Sequence, residues 1–138
     1  MRNGIVSVML AGGNEAVQER IDRMLSNQEE VIVISKLRDE REVLDKTALL
    51  SPDIVILMTD DDKPGTSVIE SARAISNAKL PTRSIIMTDN VARDLVPAIK
   101  SGAACLVSKS ISRDELLSAI LIPSQTGINN VPGLYPER

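Results

Sequence analysis

Short apolar runs alternate along this chain with stretches in which apolar residues recur every three or four positions. The runs are Ile5–Leu10, Val31–Ile34, Ile54–Met58, Ser84–Met87 and Cys105–Val107. Each is continuous rather than alternating, the signature of parallel strands buried on both faces. Between them the spacing predicts five amphipathic helices. Asn14 is placed to cap a first helix with Val17, Ile21, Met24 and Leu25 on one side. A second carries Val43, Leu44 and Ala48 and stops before Pro52. A third opens on the capping box Ser67-x-x-Glu70, carries Val68, Ala72 and Ile75, and is over by Pro81.

The fourth helix contains Leu95, Val96 and Ile99 and ends at Gly102, a natural residue to follow a helix. Because proline is tolerated in a helix's first turn, Pro97 points to Asp94 as its N-cap, with 89–93 as a longer loop. A fifth opens on Ser112-x-x-Glu115 and carries Leu116, Leu117, Ile120 and Leu121. Together with Ile122 these span more arc than one buried stripe needs, so some apolar surface is expected to remain. Five strand–helix units predict one α/β domain over 1–122, a doubly wound parallel sheet with helices on both faces. From Pro123 the sequence reads PSQTGINNVPGLYPER, without periodicity, so 123–138 is expected to be a tail or linker.

Composition narrows the function by subtraction. The net charge of −3, with signs mixed along the chain, argues against direct nucleic-acid or membrane binding, which needs a basic stripe. No apolar run approaches the roughly 20 residues of a membrane span. The single cysteine, Cys105, cannot form an internal disulfide, which fits a reducing, cytoplasmic setting. No histidine is present, which removes histidine-based acid–base catalysis, Ser-His and Cys-His nucleophiles and histidine-ligated metals. Phe and Trp are absent too, so nothing can stack on a base or a flavin except Tyr135 near the C-terminus. These readings favour neither an enzyme nor a cofactor or metal protein.

In doubly wound sheets ligands bind beyond the C-terminal strand ends. The residues there are Ala11, Gly12 and Gly13, then Met58 to Asp62, then Thr88 and Asp89, then Ser108 and Lys109. Gly12-Gly13 reads as a tight turn, or as a nest of backbone N–H groups for an anion. Cys105, on a buried strand, reads as an inert small hydrophobe. Asp60-Asp61-Asp62 reads as a solvated acidic loop.

The segments GAACLVSKSISRDELLSAI (102–120) and SPDIVILM (51–58) resemble the CheY-like receivers of response regulators, closest to the LuxR/NarL class. The resemblance covers roughly residues 5 to 122 and implies a flavodoxin-like sheet of strand order 2-1-3-4-5. Receivers hold Mg²⁺ with carboxylates from the first and third strands and accept a phosphoryl group on the third-strand aspartate. Mg²⁺ wants hard oxygen ligands in near-octahedral geometry. The match puts Gly12 and Gly13 at the acidic pair and Met58 at the acceptor. Thr88 falls on the phosphoryl-binding hydroxyl, Lys109 on the paired lysine and Leu106 on the switch aromatic. The loop before Pro64-Gly65 is about two residues longer than the family's.

The resemblance therefore implies a degenerate receiver, acting by protein contact without aspartyl phosphorylation. Asp60 is the alternative acceptor, displaced by two residues. A ligand or nucleotide sensor using Gly12, Gly13, Thr88 and Lys109 is the alternative from another class. Lys109 needs a counter-charge in a partly buried pocket, and Asp60 and Asp89 are the candidates. The expected partners are a protein or an output domain beyond the tail, as in LuxR-type regulators or Tad-type pilus-assembly ATPases. A homodimer through the fourth helix, fifth strand and fifth helix is a further expectation.

Overall fold

The computed structural model describes residues 4–60 and 66–121. Asp61, Asp62, Pro64, Gly65 and Ile122, and the tail expected over 123–138, lie outside them. The strands are β1 (Val6–Gly12), β2 (Val31–Leu37), β3 (Ile54–Met58), β4 (Arg83–Thr88) and β5 (Cys105–Ser108). They form one parallel sheet in the order β2-β1-β3-β4-β5. The helices are α1 (Glu15–Ser26), α2 (Val43–Leu50), α3 (Thr66–Asn77), α4 (Val91–Ser101) and α5 (Arg113–Leu121).

Alternation along the strands splits the core in two. Val8, Leu10, Ile56, Met58 and Val107 face α1 and α5, meeting Ile21, Leu25, Leu116 and Ile120. Met9, Ala11, Leu57, Ile86 and Leu106 face the other helices, meeting Val43, Val68, Ile75 and Ala98. With no Phe or Trp, this interior is built of aliphatic side chains, each worth roughly 1.5–3 kcal/mol when fully buried.

At the N-terminal strand ends, Asp53 fastens β3 to β1. Its Oδ2 accepts from the Ser7 N–H at 2.8 Å and from the Ser7 hydroxyl at 3.1 Å, while the Asp53 N–H donates to Ser7 Oγ at 2.9 Å. Burial pushes this carboxyl's pKa up, but hydrogen bonds, those from Ser7 among them, hold it below the ordinary value. The clip fixes the register in which Gly12 at the far end lies beside Met58.

The Ser112 box forms as the sequence predicts: the Glu115 N–H donates to Ser112 Oγ, and Glu115 Oε1 accepts from the Ser112 N–H, both at 3.2 Å. Ser112→Ala is expected to lower stability by about 1 kcal/mol in urea denaturation.

Several local expectations are corrected. β2 runs on to Leu37 and is an edge strand, so Ile32 and Ile34 are exposed and not buried on both faces. α2 buries only Val43 and Thr47, leaving Leu44 and Ala48 outward, because it sits at the margin of the sheet. α3 begins at Thr66, so Ser67 lies within the helix and Glu70 pairs instead with Arg73 at 3.6 Å.

α4 begins at Val91, capped by Asn90, whose side chain accepts from the Arg93 N–H at 3.0 Å. Pro97 therefore sits inside the helix, and the carbonyl that loses its helical partner belongs to Arg93, an exposed residue. On α5, Leu116 and Ile120 are buried and Leu117 and Leu121 pack against the core. Among the described residues of α4, β5 and α5, the exposed large apolar ones are Val96 and Ile99 of α4, at 56% and 53%.

Candidate functional site

The C-terminal strand ends bring Gly12, Gly13, Met58, Thr88 and Lys109 to one edge of the sheet. Gly12 ends β1 in register with Met58, at φ +79°. A Cβ there would lie 2.5 Å from the Met58 carbonyl oxygen, so backbone occupies the space a side chain would need. At Gly13 a Cβ would meet the Met58 side chain at 3.1 Å. Met58 itself is fully buried and belongs to the core facing α1 and α5. The Gln18 side chain, buried on α1, donates to the carbonyls of Gly12 at 2.9 Å and Leu37 at 2.7 Å. It ties the glycine turn to the end of β2.

Thr88 is committed away from this space. Its hydroxyl donates to Asp94 Oδ2 at 2.6 Å and accepts from the Asn90 N–H at 3.0 Å. A hydroxyl has one proton, and this one is taken. Asp94 is only 3% exposed, and Arg93 closes over it with Nε at 2.9 Å and Nη2 at 3.0 Å. Burial drives the Asp94 pKa up, but the hydrogen bonds from Arg93 and Thr88 and the guanidinium charge outweigh it and hold the carboxyl below its ordinary value.

Lys109 is nearly buried. Its ammonium donates to the Thr59 carbonyl and lies 3.4 Å from Asp89 Oδ2. The Lys109 carbonyl accepts from Arg20 of α1. Asp60 is exposed at the start of the loop after β3. Leu106, expected at the switch-aromatic position, is fully buried in the core facing α3 and α4. Burial pushes the Cys105 thiol up to about 11.

Receivers use Mg²⁺, and the donor set here does not fit it. Gly12 and Gly13 carry no side-chain oxygen, and the thioether of Met58 is a soft group turned into the core. Among the described residues no group of three or more Asp, Glu or Cys is arranged to hold a metal. No helix among them is long and apolar enough to cross a membrane.

Sequence reasoning missed Arg93, Asn90, Gln18 and Arg20, and gave Asp94 a capping role in place of its contact with Thr88. Asn90, two residues after β4, carried a capping signal equal to that of Asp94. Nothing in the sequence pattern marks a buried carboxylate on α4 as the partner of Thr88.

Comparison with known proteins agrees with this architecture. Residues 8–121 match the model of the response regulator receiver domain. The signal receiver domain of the putative response regulator NarL from Mycobacterium tuberculosis is 25% identical, with a TM-score of 0.76 over 85% of this chain and 94% of its own. A LuxR-family two-component response regulator from Aurantimonas sp. SI85-9A1 is 26% identical, with a TM-score of 0.73 over 84% of this chain and 82% of its own. A LuxR-family DNA-binding response regulator from Staphylococcus aureus shares the fold, at 18% identity and a TM-score of 0.74 over 84% and 96%. No curated protein gives a significant sequence match. With the 2-1-3-4-5 sheet and the matched span from Val8 to Leu121, this chain belongs to the response regulator receiver family.

Proposed function

We propose that this receiver works as a protein-contact module without aspartyl phosphorylation and is not an enzyme. The observation that carries the reading is where the two remaining polar groups of the pocket are spent. The Thr88 proton goes to Asp94, and the Lys109 ammonium lies against Asp89 and the Thr59 carbonyl. A phosphoryl group would have to displace both, next to two carboxylates and with no metal to offset its charge. The same carboxylates weigh against the alternative of an anion or nucleotide sensor at Gly12, Gly13, Thr88 and Lys109.

The working surface in this reading is the α4 side of the molecule, where Val96 and Ile99 stand exposed. Its partner is an output domain, DNA-binding or ATPase, or a separate protein. A homodimer through α4, β5 and α5 is the competing use of that face. A cytoplasmic setting belongs to the same reading, since the one thiol forms no internal disulfide.

Incubation with acetyl phosphate, or with beryllofluoride, in the presence of Mg²⁺ tests it. Intact mass should show no phosphoryl adduct, and amide spectra no Mg²⁺-dependent shift. A stoichiometric adduct at Asp60 would overturn the reading and establish the displaced acceptor.

A further inference from the structure

Five of the eight exposed large hydrophobic residues among the described ones lie on β2 and α2. They are Ile32 at 52%, Ile34 at 39%, Leu44 at 37%, Leu49 at 73% and Leu50 at 40%. Ile32 is in register with Ser7, between Val6 and Val8 of the α1-facing core, and so projects to the opposite side of the sheet, where α2 packs through Val43. The apolar residues of the strand and those of the helix thus share one side of one sheet edge.

β2 is an end strand of the sheet, so one row of its N–H and C=O groups points away from β1. Edge strands are commonly protected by a bulge and by lysine, and β2 has both, but neither blocks this edge. The register steps from Val8–Val33 to Met9–Ser35, which leaves Ile34 with no partner on β1 and adds an apolar residue to the margin. The Lys36 ammonium is held at 2.9 Å by Asp22, which draws it back over α1.

The charges around the strand decide what can sit there. Glu29 and Glu30 precede it, Lys36 and Arg38 follow its apolar centre, and all four are exposed. A strand that is acidic before and basic after is complementary to itself when reversed. Antiparallel pairing about a two-fold axis between Val33 and Ile34 brings Glu29, in the turn before β2, to the same end as Arg38, in the bend after β2 of the other copy. Like-signed ends would instead meet in a parallel pairing. Arg38 is available for this, because its existing contact with Glu15 is long, at 3.9 Å, and exposed on both sides.

We infer that the β2 edge is a homodimer interface, in which two copies of this chain pair β2 antiparallel into one continuous sheet. It is separate from the α4 surface and leaves that surface open for a partner.

The test is sedimentation of the full 138-residue chain over a wide dilution series, with charge swaps at two exposed positions. Glu29→Arg and Arg38→Glu should each weaken the dimer about tenfold, since each turns two attractive pairs into repulsive ones. The double variant should regain parent affinity, with circular dichroism unchanged throughout. Val96→Glu combined with Ile99→Glu should leave self-association intact. A chain that is monomeric at every concentration overturns the inference. So does a dimer that ignores the Glu29 and Arg38 swaps, or one that is lost only when Val96 and Ile99 are changed.

Discussion

Gly12→Asp is expected to destabilise the protein by about 3 kcal/mol or more, and not to supply a metal ligand. Two effects add. The residue sits at φ +79°, a left-handed conformation that strains any side chain, and its Cβ would stand 2.5 Å from the Met58 carbonyl oxygen. The obstacle is backbone on the central strand, paired on both sides, so it cannot swing away as a flexible side chain could. Gly13→Asp is the informative contrast. It shares the positive φ, at +71°, but its Cβ would meet only the Met58 side chain, at 3.1 Å. Urea denaturation should therefore rank Gly12→Asp well below Gly13→Asp. Equal losses would mean that φ strain alone, and not the close approach of Met58, governs this turn. The Met58 carbonyl therefore sets the limit on any side chain at Gly12.

Asp94→Ala is expected to lose about 2–3 kcal/mol, the penalty for removing a buried, charge-assisted hydrogen-bond acceptor and leaving Thr88 without it. Asp94→Asn keeps an acceptor and should lose less. The pH dependence separates the charge from the packing. The carboxyl pKa is lowered in the fold, so its contribution is fully present above the unfolded value. It disappears as the pH falls through the lowered folded value. Below about pH 4 the parent should therefore lose stability more steeply than Asp94→Asn. Part of the acid sensitivity will persist in the variant, because the Asp53 pKa is lowered as well. Hydrogen exchange of the first turn of α4 should rise in Asp94→Ala, where the helix is no longer tied to the end of β4. Unchanged exchange there would show that the Asn90 cap alone anchors the helix.

The sheet was legible because five continuous apolar runs leave few other architectures in a chain of this length, and the segment 102–120 carried the family. The errors fell where a local rule met a tertiary one. Pro97 argued for a late start to α4, but Asn90 caps the helix four residues ahead of Asp94, and the proline is accommodated within the helix. Ile32 and Ile34 looked buried because continuity was read as burial on both faces, whereas β2 has a neighbour on one side only. That Gly12, Gly13 and Met58 carry no acidic side chain is plain from the sequence. The diversion of Thr88 is not, since the Asp94 that accepts its hydrogen bond lies on a helix face that periodicity alone does not assign.

Cys105 gives the molecule a built-in reporter of its own opening. It is the chain's only thiol, it is 4% exposed on β5, and burial holds it protonated, with a pKa of about 11. Thiol reagents attack the thiolate, so both access and ionisation are withheld while the core around it stays closed. The labelling rate of the unmodified chain therefore counts openings of the core between β5 and α5, in which Cys105 packs with Leu116 and Ile120. No engineered probe is needed to compare that motion in the presence and absence of a binding partner.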